Sequence, residues 1–127
     1  MRLLLDTHVL AWWVLDTDAL SSKARSAIAV SARTLVSAVS AFEMANKHRL
    51  GKWHGIGDFI TDFVPAMQRE NFDVLALTSD HAIRAGLLPG PHRDPFDRLL
   101  AAQALTENLV LVTRDPIFAG FGVETLW

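Results

Sequence analysis

Short apolar runs alternate with segments of helical periodicity along this chain, and the alternation limits the folds that it can adopt. We predict strands over residues 3–5, 35–36, 74–77 and 109–112, and a last edge strand over residues 122–127. A repeated strand–helix order implies a parallel sheet with helices on both of its faces. The pattern therefore predicts an α/β fold.

Helical patterns fill the segments between these strands. We expect helices over residues 9–15, 21–32, 40–50 and 56–67, the last one interrupted near Pro65. A further helix is expected to begin at Ser79, its N-cap residue. Another is expected to begin at Asp94-Pro95, where an N-cap residue precedes a proline at the first helical position.

Length and composition support a single globular unit. The chain has 127 residues, half of them hydrophobic, so we treat residues 1–127 as one domain. The formal net charge of −2 gives no general attraction to nucleic acid, so a polyanionic substrate must be held by local basic residues or by bound metal. Cysteine is absent, which excludes disulfides and thiolate metal sites. No apolar run is long enough to span a bilayer, and we expect a cytoplasmic protein.

Four acidic residues are expected at one edge of the sheet. Asp6 directly follows the first strand, and Asp115 lies three residues after the fourth. Glu43 and Asp97 are each expected in the first turn of a helix that starts from the same edge. Four neighbouring carboxylates repel one another, and a divalent cation relieves that repulsion. Ligation by oxygen alone suits Mg²⁺ or Mn²⁺, ions that activate water for attack on a phosphodiester.

Each acid except Asp6 also has a structural interpretation. Ser40 and Glu43 have the spacing of a capping box, and an acid at Asp97 favours the helix dipole. Asp115 precedes a proline, as an N-cap residue would. Asp6 closes a buried apolar strand, where an acid has no evident structural purpose. The functional interpretation therefore depends on the four acids together.

Four segments that contain these acids resemble the motifs of the PIN-domain family, and specifically of VapC-type toxins. They are LLDTHVLAWW at residues 4–13, SAVSAFE at 37–43, HRDPFDRLLAAQA at 92–104 and VTRDPIF at 112–118. The third motif is long and specific, and all four occur in the family's order.

The resemblance implies a three-layer α/β fold with a five-stranded parallel sheet in the order 3-2-1-4-5. It also implies Mg²⁺ or Mn²⁺ bound by Asp6, Glu43, Asp97 and Asp115, and endonucleolytic cleavage of RNA. Proteins of this kind commonly form homodimers and are silenced by a small antitoxin whose tail enters the active cleft. Contact with DNA is then expected only through that antitoxin.

Several neighbouring residues are expected to support the four acids. Asp94 and Asp97 are three positions apart; we assign the metal to Asp97 and the helix cap to Asp94, with contact behind the metal ligands as the alternative role. Thr7 and Thr113 adjoin the acid motifs and are candidates to orient them, although either threonine also suits an ordinary strand end.

Basic residues near the motifs are candidates for contact with RNA. Arg93, Arg98 and Arg114 are the candidate phosphate contacts, with a solvated or ion-paired arginine as the alternative for each. A basic cluster at the end of the third helix comprises Lys47, Arg49 and Lys52. His8 and His92 show no zinc spacing, and we interpret both as structural or loop residues.

Three other functions are less consistent with these residues. A HAD-type phosphatase needs a second aspartate two residues after the first, and His8 occupies that position. A receiver domain needs a lysine after a late strand, and residues 113–115 read TRD. A binding module that has lost catalysis would not be expected to retain all four acids.

Overall fold

One all-parallel sheet runs through the protein, and its strand order is β3-β2-β1-β4-β5. The computed structural model describes residues 1–127. The strands are β1 (Arg2–Leu5), β2 (Arg33–Ser37), β3 (Phe72–Leu75), β4 (Val110–Val112) and β5 (Thr125–Leu126). The helices are α1 (Thr7–Val14), α2 (Ser22–Val30), α3 (Ala38–Arg49), α4 (Gly57–Thr61), α5 (Phe63–Arg69), α6 (Ser79–Leu87) and α7 (Pro95–Glu107), and a 3₁₀ helix spans Pro116–Phe121. The expected α/β fold and its strand order are confirmed.

The central strand β1 has a core on each of its faces. Leu3 and Leu5 belong to one apolar cluster, whereas Leu4 belongs to the other, and all three are fully buried. This alternation follows from the two-residue repeat of a strand. The second cluster includes Leu100 from α7, so helices cover both faces and the fold has three layers.

The chain reverses its direction of travel across the sheet at β1. Strands β2 and β3 lie on one side of β1, and β4 and β5 lie on the other. Ligands of open parallel sheets bind at such a point, outside the carboxyl ends of the strands. The main-chain N–H of Asp6 donates to the carbonyl of Val112 at 3.0 Å, which holds Asp6 at this edge.

The predicted start of α3 was wrong. The helix begins at Ala38, and its N-cap is Ser37, whose Oγ accepts from the main-chain N–H of Val39 at 2.9 Å. Ser40 is fully buried and its hydroxyl lies 2.8 Å from the hydroxyl of Thr7. Because Ser40 is the third residue of the helix and not its N-cap, no capping box forms with Glu43, which lies in the second turn rather than the first.

The predicted helix over residues 56–67 is two short helices. The break lies at Asp62, which has φ −129° and ψ 48°, and not at Pro65. Pro65 is the third residue of α5, where the missing N–H has no helical acceptor to lose. Proline is therefore accommodated there without a kink.

Other boundaries differ from the prediction by a few residues. β3 begins at Phe72 and ends at Leu75, two residues before its expected positions. The N-cap of α6 is Thr78 rather than Ser79; its side chain accepts from the N–H of His81, and its own N–H donates to Nδ1 of His81. None of the helices combines the length and the apolar character needed to cross a membrane.

Candidate active site

The four acids of the sequence motifs line one cavity at the carboxyl edge of the sheet. Its volume is about 470 Å³. The lining residues are Asp6, His8, Trp12, Glu43, Lys47, Asp94, Asp97, Arg114, Asp115 and Pro116. Acids from four separate segments of the chain therefore face one space, as the strand topology predicts.

Asp6 is the most deeply placed of these acids, with 9% of its surface exposed. Its Oδ2 accepts a hydrogen bond from Oγ1 of Thr113 at 2.7 Å. Thr113 Oγ1 accepts in turn from the N–H of Asp115 at 3.1 Å. Thr113 thus orients two acids, while the hydroxyl of Thr7 bonds Ser40.

Burial raises the pKa of Asp6 above its usual value of 3.8. The hydrogen bond from Thr113 and the charge of His8 act in the opposite direction, and the negative charge of Glu43 adds to the increase. The carboxylate is thus poorly compensated by its surroundings, which is the condition that favours a bound cation.

Asp97 lies in the first turn of α7, where Asp94 fixes the helix start. Asp94 Oδ1 accepts from the main-chain N–H groups of Phe96 at 2.9 Å and Asp97 at 3.2 Å, so Asp94 is the expected N-cap. The Asp97 carboxylate lies 2.8 Å from Nε2 of His92. Burial raises the pKa of Asp97 from 3.8 to about 6, and the charges of Asp94 and Asp6 add to that increase.

Glu43 reaches the cavity from the second turn of α3. Its Oε2 lies 3.1 Å from Nζ of Lys47, one turn further along the helix. The exposed fractions of the two side chains are 14% and 25%, so the pair lies largely within the cleft wall. Nζ of Lys47 also lies 4.7 Å from the ring centre of Trp53.

Asp115 begins the 3₁₀ helix that follows β4. Its Oδ1 accepts from the N–H of Ile117 at 3.0 Å, so the capping interpretation is correct for this residue. The residue lines the cavity at the same time. Capping leaves the second carboxylate oxygen of Asp115 without a protein hydrogen bond.

The chemistry of these side chains suits Mg²⁺ or Mn²⁺, because every candidate ligand is a carboxylate oxygen and two of the carboxylates have raised pKa values. No three histidine, aspartate or glutamate side chains are arranged to hold one ion together. Three of the four acids instead contact side chains of the protein, namely Thr113, Lys47 and His92, and Asp115 accepts from the main-chain N–H of Ile117. Binding of an ion therefore requires some of these contacts to be exchanged.

The three candidate arginines lie in different surroundings. Arg114 lines the cavity, and its guanidinium lies 4.7 Å from the ring centre of Trp12. Arg93 and Arg98 line a separate surface pocket.

Arg98, one of the candidate phosphate contacts, is bonded to the main chain of the protein. Its guanidinium donates to the main-chain carbonyls of Ala85 at 3.0 Å, His92 at 2.8 Å and Leu88. These bonds tie the loop between α6 and α7 to the start of α7. Three of the five N–H donors of the guanidinium are thereby used within the protein.

Sequence reasoning missed several residues of the cavity wall. His8 and Trp12 line it, and His8 lies edge-on to the ring of Trp53 at 5.2 Å between ring centres. Lys47 was interpreted only as part of a basic helix end, although its four-residue spacing from Glu43 is a recognisable signal for an ion pair. Nothing in the local sequence indicates that Trp12 and Trp53 both contact His8.

Similarity to known proteins identifies the family of this chain. The family model for the PIN domain matches residues 3–123, which is nearly the whole chain. The chain belongs to the PIN-domain family. This PIN domain is 32% identical over 118 residues to Ribonuclease VapC22 of Mycobacterium tuberculosis, covering 88% of this chain and 85% of the relative. The resemblance seen in the sequence motifs is thereby confirmed.

Solved structures share the fold of this PIN domain. VapBC2 from Rickettsia felis, bound to a DNA fragment from its promoter, matches with a TM-score of 0.72 at 15% identity, over 99% of this chain and 98% of that chain. A toxin–antitoxin complex from Klebsiella pneumoniae matches with a TM-score of 0.63 at 21% identity, over 92% and 90% of the two chains. At these identities the likeness establishes the fold alone.

Proposed function

We propose that this PIN domain is an Mg²⁺- or Mn²⁺-dependent endoribonuclease that acts as the toxin of a toxin–antitoxin pair. The observation that carries the proposal is the convergence of Asp6, Glu43, Asp97 and Asp115 on one cavity at the switch point of the sheet. The ribonuclease name of a relative that is 32% identical supports RNA as the substrate. Because the proposed substrate is cellular RNA, the proposed location of the protein is the cytoplasm.

The four acids are the proposed ligands of the ion. When bound, a divalent ion in such a site activates a water molecule and stabilises the charge that develops on the phosphodiester. Thr113 holds the Asp6 carboxylate in a fixed direction by its 2.7 Å hydrogen bond. Asp94 fixes the first turn of α7 and so the position of Asp97.

Arg114 is the proposed phosphate contact among the three candidate arginines. It is exposed, lines the cavity, and forms no ion pair with any acid of the chain. Stacking over Trp12 limits the directions its guanidinium can take. A guanidinium held beside the acids could bind a phosphate oxygen while the backbone of the RNA crosses the cleft.

The proposed partners are a protein antitoxin and a second copy of this chain, with which it forms a homodimer. Matches to a VapBC complex and to a toxin–antitoxin complex support the antitoxin, and any contact with DNA would be made through it. A membrane is not among the proposed partners, and no helix is long and apolar enough to cross one.

The test is cleavage of total cellular RNA by the purified protein, with Mg²⁺, with Mn²⁺ and with a chelator. Discrete fragments that require the ion are expected from the wild type and are expected to be absent with Asp6→Asn. Asp18→Asn is the matched control, since it removes the same charge from an exposed residue outside the cavity. An Asp6→Asn protein with full activity would contradict the proposed site.

A further inference from the structure

Lys47 stands out among the cations of the cleft. It is the one lysine or arginine of the cavity lining that forms an ion pair, and its partner is one of the four proposed ligands, Glu43. Arg114, the other strong cation of the lining, stacks on Trp12 and pairs with no acid.

An ordinary glutamate–lysine pair on a helix surface is solvated and weak. This pair differs in two respects. Its side chains are 14% and 25% exposed, so solvent screens the attraction less than at an open surface. The lysine also faces a cavity whose lining carries Asp6, Asp97 and Asp115 in addition to Glu43.

Trp53 provides a second contact for the same ammonium group. Nζ of Lys47 lies 4.7 Å from the ring centre of Trp53, within the distance at which a cation is attracted to the face of an indole. The Trp53 ring is positioned in turn by His8, which lies edge-on to it at 5.2 Å. The ammonium of Lys47 is therefore held by two contacts, one with the Glu43 carboxylate and one with the Trp53 ring.

We propose that Lys47 is an internal competitor of the divalent ion for the Glu43 carboxylate. The inference rests on the proposed metal-dependent function and adds a control of ion affinity to it. While Lys47 holds Glu43, the carboxylate is neutralised by the protein's own cation, and a divalent ion must break the 3.1 Å pair to use that ligand. Lys47 is thus a positioning residue that lowers the affinity of the site for the ion.

Calorimetric titration of Mn²⁺ into the protein tests this without reference to cleavage. Lys47→Met keeps an apolar stem against Trp53 and removes the charge, and its dissociation constant for Mn²⁺ is expected to fall about three- to fivefold, the upper part of the range for a partly exposed ion pair. Lys47→Arg keeps a cation that can pair and stack, so it should bind the ion as the wild type does. Trp53→Leu should raise the affinity by a smaller factor, since it removes only the second contact.

Lys52→Met is the matched control, because Lys52 is exposed, lies outside the cavity and forms no ion pair. It loses the same charge and is expected to leave the dissociation constant within about twofold of the wild type. Circular dichroism of each variant verifies folding.

The outcomes separate this inference from the function on which it rests. Binding that is lost in Asp6→Asn but unchanged in Lys47→Met overturns the role of Lys47 and leaves the metal site standing. A wild-type protein that binds no divalent ion overturns both. Equal gains in affinity from Lys47→Met and Lys52→Met would reduce the effect to net charge and would also overturn the competition.

Discussion

Thr113 Oγ1 donates a 2.7 Å hydrogen bond to Oδ2 of Asp6, although the two residues lie 107 positions apart in the chain. The bond is buried and charge-assisted, and it favours the ionised form of Asp6 against the opposing effect of burial. The same hydroxyl accepts from the N–H of Asp115. One threonine therefore sets the geometry of two proposed ligands at the switch point of the sheet.

Replacing Thr113 with valine is expected to raise the pKa of Asp6 further, because the hydrogen bond that lowers it is removed. The change should be seen as a shift of the Asp6 carboxyl titration to higher pH in ¹³C NMR. Thr125→Val, on the exposed part of β5, is the control and should leave that titration unchanged. An Asp6 titration that is identical in Thr113→Val and wild type would show that the hydroxyl has no such influence.

The raised pKa of Asp97 predicts that the stability of the fold depends on pH when no divalent ion is present. Its folded-state pKa of about 6 lies above the usual 3.8, so between these values the folded chain binds more protons than the unfolded one. The free energy of unfolding therefore falls as the pH rises from about 4 to about 6. The raised pKa of Asp6 acts in the same direction.

Asp97→Asn is expected to stabilise the fold at pH 7 by about 1–2 kcal/mol, a discounted figure because the side chain is 23% exposed. Denaturation in chelator at pH 4, 5, 6 and 7 measures it, and the gain should be absent near pH 4. Added Mg²⁺ should stabilise the wild type more than the variant. A gain of equal size at every pH would rule out ionisation of Asp97 as the cause.

Arg98 and Arg114 are expected to have separable effects. Arg98→Met removes three hydrogen bonds to main-chain carbonyls and should lower the free energy of unfolding by about 2–4 kcal/mol. Arg114→Met should change stability by less than about 1 kcal/mol and instead raise KM for RNA. Chemical denaturation and steady-state kinetics on the two variants form the comparison. Equal effects on both quantities in both variants would contradict the assignment.

Gln103 joins two strand ends to α7. It is fully buried, accepts from Ser37 Oγ at 2.5 Å and donates to the carbonyl of Ala76 at 3.4 Å. Gln103→Leu has similar volume but makes neither bond, so a loss of about 2–3 kcal/mol in unfolding free energy is expected. Gln68→Leu, at an exposed position of α5, is the control and should cost less than about 0.5 kcal/mol.

The elements that sequence predicted well are those whose signals are local. The buried run before Asp6, the cap-and-proline pair at Asp94 and the apolar run before Thr113 each identify an element boundary at the carboxyl edge of the sheet. Parallel strand order then brings the acids together. The shared cavity of the four acids was predicted from these few positions, whereas the strand order came from the resemblance to the PIN-domain family.

The features that sequence did not predict depend on contacts between distant residues. Ser37 and Ser40 are equally good N-cap residues locally, and the contact of Ser40 with Thr7 decides between them. Arg98 has the local features of a phosphate contact, but three of its N–H groups donate to main-chain carbonyls of α6 and the loop that follows it. Contacts between distant residues therefore determine which serine caps the helix and what the arginine binds, and the spacing along the chain does not.

The scattering of the four acids along the chain has a consequence for the timing of activity. Asp115 is made after the acids at positions 6, 43 and 97. Thr113 directly follows β4, so β4 must pair with β1 before Thr113 can orient Asp6. The proposed metal site is therefore incomplete in a chain still under synthesis until its last acid has been made and β4 has paired with β1. The proposed activity would therefore belong to the finished, folded molecule and not to its growing fragments.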